Sequence, residues 1–392
     1  MVTLSTADNA LKEVYLGVVS NQLNTTINPL LAKINQTNSD VWGKEIRKIA
    51  PYGINGGIGA GTEDGELPNS ASNNYAQFIL TLKNLYGKLE ISDKAIRASE
   101  NSSGAFVNLL NAEMDGLIKA SAFNFGRMLF GDGTGFLAEI SANTTSSVTV
   151  NSVTNLIEGM VVDIVTSTGN VNKSSIRIKS IDRANKEVYF TTSSLTEGDY
   201  AGQKLCVQGS YNNEITGLGA IFKSTGSLYG LNRSQYSWMI PYMKDIEEGS
   251  AKTDISEVVM QRAIDELDEV ANSKVDFIVC SAGVKRNYQS YLASYRSNVD
   301  VMNLEGGFKA ISYNGIPVVS DRFVPQNTMY LLNTSEFNLH QLCDWKWLEG
   351  EDGRVIKQTP DKPTYQATLV KYADIICNKP SGQAKITGIQ ES

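Results

Sequence analysis

The chain has 392 residues, a hydrophobic fraction of 41% and a charged fraction of 20%, the balance of an ordinary globular protein and not of a disordered one. That length gives room for a substantial core and two or three domains. A formal charge of -7 offers no general attraction to phosphate backbones, which argues against a dedicated nucleic-acid-binding protein, although net charge does not say how charge divides between faces.

The first residues, Met1-Val2-Thr3-Leu4-Ser5, lack the basic and apolar pattern of a secretory signal, and no run is long enough to cross a bilayer. Leu11, Val14, Tyr15 and Val18 share one face of a helix-like pattern, and a mixed stretch containing Trp42 follows. The glycine-rich run 53–61 is not a phosphate-binding loop. No helix opens after it, no Gly-Lys-Ser/Thr follows, and residues 62–74 are acidic and polar with Pro68, so a flexible arm or loop is predicted. From Tyr75 to Ile91 apolar residues partly alternate and Gly87 interrupts them, which predicts a two-stranded projection. An isolated hairpin is marginal in water, so packing on a partner would order it.

Between Asn101 and Phe130 the period becomes helical, with Phe106, Leu110, Met114, Leu117, Ile118, Phe125 and Met128 recurring. Ser102 or Ser103 can cap its start and Gly131-Asp132-Gly133 stops it. Gly116 and Gly126 each weaken this helix by roughly 1 kcal/mol relative to alanine, so packing must hold it. Residues 140–210 change composition. Short strands at 148–150, 160–165, 176–181, 188–191 and 205–207, separated by turns at Gly159, Gly169 and Asn185, predict a small all-β sandwich or barrel.

After a glycine-rich linker at 217–230 the pattern is α/β. Asp254 with Glu257 predicts a capping box for a helix whose apolar side includes Ile255, Val258, Val259, Ala263, Leu267 and Val270. A strand from Val275 to Cys280 and a helix from Ala282 to Tyr295, carrying Tyr288 and Tyr291, come next. The segment from Glu305 to Asn333 consists of short buried-strand patterns with turns at Asn314-Gly315 and Pro325-Gln326-Asn327. Pro317 argues against a central place for its strand.

Chemistry-bearing residues are sparse. His340 is the sole histidine, which excludes multi-histidine metal sites, and a Cys343–His340 nucleophile pair would need an orienting third group. Asp245, Glu247 and Glu248 beside Gly249 lack the alternating register of a calcium loop and read as a solvated turn. Cys206, Cys280, Cys343 and Cys377 form no close pair and read as small buried hydrophobes, without a disulfide framework or zinc site. Trp345, Trp347 and Tyr365 suit a subunit contact or the core equally well. No catalytic, cofactor-binding or metal-ligating residue is assigned, no cofactor is expected, and an enzyme is not predicted.

The order of these parts, and above all the Tyr-Asn-Gly-Ile-Pro-Val-Val strand with Asp321, Val324-Pro325 and the strand ending in Asn333, resembles the major capsid proteins of tailed bacteriophages, the Hong Kong 97 type. The resemblance covers most of the chain outside 136–216. It implies an α+β fold with an N-terminal arm (1–50), an extended β-hairpin loop (51–100), the long spine helix of a peripheral domain (101–135) and peripheral and axial α/β domains (217–392), and it permits the small all-β module, read from its composition, to be a domain inserted at 136–216. It further implies a structural subunit of an icosahedral head shell around double-stranded phage DNA, located in the virion and made in the host bacterial cytoplasm. The implied partners are copies of itself in hexamers and pentamers, a portal protein, a separate scaffolding protein or none, decoration proteins, and packaged DNA through non-specific contact, with no membrane. Some relatives cross-link through a lysine on the extended loop. Lys83, Lys88 and Lys94 lie in or near the corresponding region, but no asparagine or glutamate partner matches and no cross-linking residue is assigned. Alternatives are an encapsulin-like nanocompartment shell and a soluble enzyme with a β insertion.

Overall fold

The computed structural model describes residues 28–38, 41, 45–95, 103–191, 195–196, 198–249, 251–294, 301–303, 309–350 and 353–392. The expectations for Leu11 to Val18, Trp42 and Tyr295 lie outside these residues. The N-terminal part contributes β1 (Asn35–Thr37), β2 (Ile46–Tyr52), β3 (Asn74–Leu80), β4 (Lys83–Ser92) and the long helix α1 (Ser103–Phe130). On α1, Met114, Ile118, Ala122, Phe125 and Leu129 recur every three or four residues and are buried as one stripe. At about 1.5 Å per residue the helix spans about 40 Å, enough to run under both the sheet and the hairpin.

The two-stranded projection differs from the predicted one. Asn74–Leu80 pairs with Ile46–Tyr52, not with the residues after it, and β4 instead runs antiparallel to a long C-terminal strand. Two residues, Thr81 and Leu82, separate β3 from β4, and they carry none of the Asn-Gly chemistry that closes a tight hairpin.

The next six strands, β5 (Phe136–Asn143), β6 (Ser147–Val150), β7 (Val161–Val165), β8 (Val171–Asp182), β9 (Glu187–Phe190) and β10 (Lys204–Val207), close into a barrel in the order β10-β5-β6-β9-β8-β7. Its interior is a separate apolar cluster including Ile140, Val148, Val162, Ile164, Ile178, Val188 and Leu205. The choice between sandwich and barrel is resolved by β8, whose 12 residues are long enough to pair with β7 at one end and β9 at the other.

Residues 217–230 are not a linker. They form the short helix α2 (Leu218–Ile221) and one strand of the hairpin β11 (Ser227–Leu228) and β12 (Leu231–Asn232), with Leu218, Ile221, Phe222, Leu228 and Tyr229 all buried. Their glycines serve close packing: a side chain on Gly219 would come within 3.0 Å of the carbonyl oxygens of Phe130 and Gly131 at the end of α1. The buried Arg233 guanidinium donates to the carbonyls of Ala220, Ile221 and Thr225, and the Tyr229 hydroxyl donates to Ile375 and accepts from the Cys377 amide.

The remainder comprises β13 (Tyr242–Asp245), α3 (Glu257–Ala271), β14 (Phe277–Cys280), α4 (Ala282–Ser294), β15 (Val301–Asn303), β16 (Lys309–Tyr313), β17 (Ile316–Ser320), β18 (Met329–Leu332), β19 (Phe337–Trp347), β20 (Lys357–Gln358), β21 (Thr364–Cys377) and β22 (Ala384–Thr387). A seven-stranded sheet runs β13-β22-β18-β14-β17-β16-β15. Along β14, Phe277 and Val279 join the cluster around α1, while Ile278 and Cys280 join a second cluster with residues of α3 and α4. Tyr330 and Leu332 of β18 divide from Met329 and Leu331 in the same way. Burial on both faces explains why these strands read as unbroken apolar runs.

Two local readings are corrected here. Pro317 stands in β17, which has β14 on one side and β16 on the other. Asn314 and Gly315 adopt φ of 49° and 76°, closing a two-residue hairpin in which Tyr313 and Ile316 are the hydrogen-bonded pair. Pro317 opposite Ser312 therefore falls in the pair that exchanges no hydrogen bonds, and the β14 register starts only at Val318. The cap of α3 is Ser256, whose hydroxyl accepts the Val259 amide. Asp254 instead accepts from the Asn287 side chain and so joins the entry of α3 to α4.

Candidate assembly surfaces

A five-stranded sheet holds β1, β19, β21, β20 and β4, and α1 packs on it through β4 and the tryptophans of β19. Trp345 and Trp347 are buried there, with the Trp345 ring edge-on to Phe125 at 6.4 Å, so both belong to the core. Tyr365 on β21 is half-buried. Lys371 is buried in the same sheet. Burial lowers its pKa, while Asp344 and Gln341 accept its ammonium protons at 2.7 Å each and the Phe125 ring lies 5.2 Å away.

The paired strands β2 and β3 have two unlike faces. Ile46, Ala50, Ala76, Phe78 and Leu80 are buried, whereas Ile49, Tyr75 and Ile79 point to solvent. The base is fixed by Tyr52 stacking on Trp238 at 5.3 Å, by Phe78 against Tyr229, and by the Ile79 amide donating to the Tyr229 carbonyl. Beyond it residues 53–73 form a finger. Its two limbs lie close together, since a side chain on Gly57 would meet the Ala71 nitrogen at 3.2 Å and one on Gly59 would meet Pro68 at 3.0 Å. The glycine run therefore supplies thinness. Against that slim backbone the large side chains stand out: Ile54 and Ile58 are each 75% exposed and Leu67 is 90% exposed.

The barrel joins the body through a polar neck. Arg127 and Glu214, only 3% and 2% exposed, form an ion pair, and Asn124 accepts two further bonds from the guanidinium. Asp374 on β21 accepts from the Thr216 amide at 2.6 Å and its hydroxyl at 3.1 Å. Burial pushes that carboxyl up to about 6, against the opposing pull of these hydrogen bonds. Burial likewise pushes Asp321 up to about 6, offset in part by the Phe323 amide. Sequence reasoning missed the neck, because Glu214 and Asp374 lie 87 residues beyond Arg127 and 158 beyond Thr216, with no local pattern to join them.

The chemically tempting residues do not converge. His340 is buried in β19 opposite Asp374, and Cys343 lies on the same strand past a bulge, so the helix spacing that would have let them meet is absent. Cys206, Cys280 and Cys377 are buried free thiols, and burial pushes the first two up to about 12. In the 245–249 turn, Asp245 accepts the Glu247 amide and Glu247 pairs with Lys252 at 2.7 Å. Among the described residues no group of three or more His, Cys, Asp or Glu side chains could hold a metal ion. Lys83 and Lys88 sit on β4 in the sheet, not on the projection, and Lys83 donates to the Asn212 carbonyl. Residues 53–73 contain no lysine, and Lys48 at the hairpin base donates to Asn378. No helix among the described residues is long and apolar enough to cross a membrane.

A spine helix packed on one sheet, a second sheet with helices on its outer face, and a projecting hairpin define the α+β subunit fold of tailed-phage major capsid proteins, the Hong Kong 97 type. Among solved structures, the chain is similar to the cyanophage A-1(L) capsid asymmetric unit at 13% identity and a TM-score of 0.53, covering 95% of this chain and 92% of that one. It is also similar to the SrpI encapsulin complex of Synechococcus elongatus, at 9% identity, a TM-score of 0.47 and coverage of 93% and 89%. A further similarity is to Mycobacterium phage Bobi, at 9% identity, a TM-score of 0.46 and coverage of 99% and 98%. No protein-family model matches the sequence, and no curated protein matches it.

Proposed function

We propose that this protein is the repeating subunit of an icosahedral phage head shell that encloses double-stranded DNA. The carrying observation is the capsid fold over 95% of the chain, together with a finger whose apolar side chains have no partner within the subunit's own core. In this reading α1 and the five-stranded sheet form the peripheral domain, the seven-stranded sheet with α3 and α4 forms the axial domain, and the barrel is an inserted domain on the shell. The work of the protein is assembly and not catalysis. Repeated contacts related by symmetry close the shell, and small adjustments of those contacts fit hexamers and pentamers alike. Portal, scaffolding and decoration proteins are the expected partners, and DNA meets the inner face through non-specific electrostatics.

The test is expression of the chain, alone and with phage lysate, followed by electron microscopy and assay of nuclease-protected nucleic acid. Closed shells, and DNA in those from an infection, are expected. Monomers under every condition would defeat the proposal. Native shells that hold protein cargo and no DNA would favour a nanocompartment instead.

A further inference from the structure

The chain contains two Asn-Gly pairs, Asn55-Gly56 and Asn314-Gly315, and both asparagines are exposed. A following glycine has no side chain to shield its amide nitrogen, so that nitrogen can attack the side-chain carbon of the asparagine before it. Whether it does so in the folded protein depends on how the backbone is held, and the two pairs are held differently.

Asn314-Gly315 is locked in the tight turn between β16 and β17, with φ of 49° and 76°, and the Tyr313–Ile316 pair closes it. Asn314 Nδ2 also donates to Gln261 Oε1 at 3.2 Å. Swinging the Gly315 nitrogen towards the Asn314 side chain would break that turn. Asn55-Gly56 lies on the finger, outside any strand, and among the described residues the Gly56 amide has no hydrogen-bond acceptor. Asn55 Oδ1 accepts the Gly57 amide at 3.0 Å, which curls the side chain over the following backbone. That N–H lies where negative charge develops when Cγ is attacked, the place of a donor in an oxyanion hole. The finger's Asp64-Gly65 pair lacks this freedom, because the Gly65 amide donates to the Thr62 carbonyl at 3.2 Å.

We infer that Asn55 is a site of spontaneous modification, converting through a cyclic imide with Gly56 into aspartate and isoaspartate in the folded protein, while Asn314 is protected. The Gly56 nitrogen gives its proton to solvent base and bonds to Asn55 Cγ. The Cγ–Nδ2 bond breaks and ammonia leaves. Water then opens the ring at either carbonyl. Breaking the new Cγ–N bond yields aspartate, and breaking the original peptide bond yields isoaspartate, with one water consumed and no change of oxidation state. The product adds a carboxylate to residues 53–61, which otherwise carry no charge. In the isoaspartate form the main chain also gains an atom beside Gly57, where the two limbs of the finger lie close. The inference stands apart from the shell reading, since it concerns a single copy of the chain.

The test holds the purified full-length protein in mildly alkaline buffer and follows the peptides containing residues 55 and 314 by mass spectrometry. Isoaspartate is counted by methylation with a protein-isoaspartate methyltransferase and labelled S-adenosylmethionine. Conversion at Asn55 should outpace that at Asn314 by roughly tenfold or more, at least about 1.4 kcal/mol between the two barriers, with isoaspartate among the products. In denaturant the two rates should converge. A methyl group added at Gly56 would meet only the Ala71 Cβ at 3.6 Å, an ordinary contact, so Gly56→Ala keeps the finger while shielding the nitrogen and should slow the conversion. Asn55→Gln, whose ring would be larger and slower to form, should remove the label from the finger. Equal rates at the two sites in the folded protein would overturn the inference, as would aspartate at residue 55 without isoaspartate, or a Gly56→Ala rate equal to wild type. An advantage of Asn55 that persists undiminished in denaturant would overturn its structural basis.

Discussion

Gly116 and Gly126 are equally costly to the spine helix on intrinsic grounds, yet their surroundings set them apart. A methyl group added at Gly116 meets nothing within 4 Å, whereas one added at Gly126 falls 2.8 Å from the Phe323 ring and 3.4 Å from the Asn28 amide. Phe323 cannot move away cheaply, because it is buried and its ring is held edge-on by Phe123 at 5.0 Å. Gly116→Ala should therefore raise the stability of the protein by about 1 kcal/mol, the helix-propensity gain alone. Gly126→Ala gains the same amount but adds an overpacking cost of about 1–3 kcal/mol, so it should be neutral to destabilising. The predicted gap between the two variants is about 1–3 kcal/mol. Tryptophan fluorescence during denaturant unfolding suits the measurement, since none of the four tryptophans lies in the barrel and the signal reports the body alone. Equal stabilisation by both substitutions would refute the close-packing explanation of Gly126. Partial rescue of Gly126→Ala by Phe323→Leu is expected.

Removing Glu214 strands the Arg127 guanidinium in the neck, so Glu214→Ala should cost about 3–5 kcal/mol, while Arg127→Met with Glu214→Leu should fall much closer to wild type in the same unfolding assay. Asp374 has a folded pKa above its unfolded value, so its protonated form favours the folded state. Its contribution to stability is greatest below the unfolded value and is lost as pH rises through about 6, by at most about 3 kcal/mol, with Asp321 contributing in the same direction. Asp374→Asn, which keeps an acceptor for the Thr216 amide, should flatten that slope in unfolding curves taken from pH 4 to 7, and an unchanged slope would count against the assignment. Ser256→Ala should cost about 1 kcal/mol through loss of the α3 cap, read as a lowered denaturation midpoint.

Legibility followed the range of the interactions involved. The stripe on α1, the short strands of the barrel and the Asn314-Gly315 turn are written in neighbouring residues, whose periodicity and backbone preferences act locally. Strand partnership is not so written. Tyr75 to Ile91 has an alternation that any sheet could accept, and what sent β3 to β2 and β4 to β21 was the burial available against α1 and Trp238. Glycine was the least readable residue, because its lack of a side chain serves mobility and close approach equally. At 217–219 it lets a buried turn sit on the end of the spine helix, and at 53–61 it makes a finger thin.

The same division applies to the surfaces. By itself the sequence excluded a multi-histidine metal site and carried the capsid resemblance in the order of its parts, since both depend on which residues are present and in what succession. Only the tertiary structure decided that Trp345 and Trp347 are core, that the lysines of β4 are off the projection, and that Arg127 meets Glu214. Those outcomes depend on which distant segments share a boundary, and that is settled by the joint packing of the spine helix, the two sheets and the barrel.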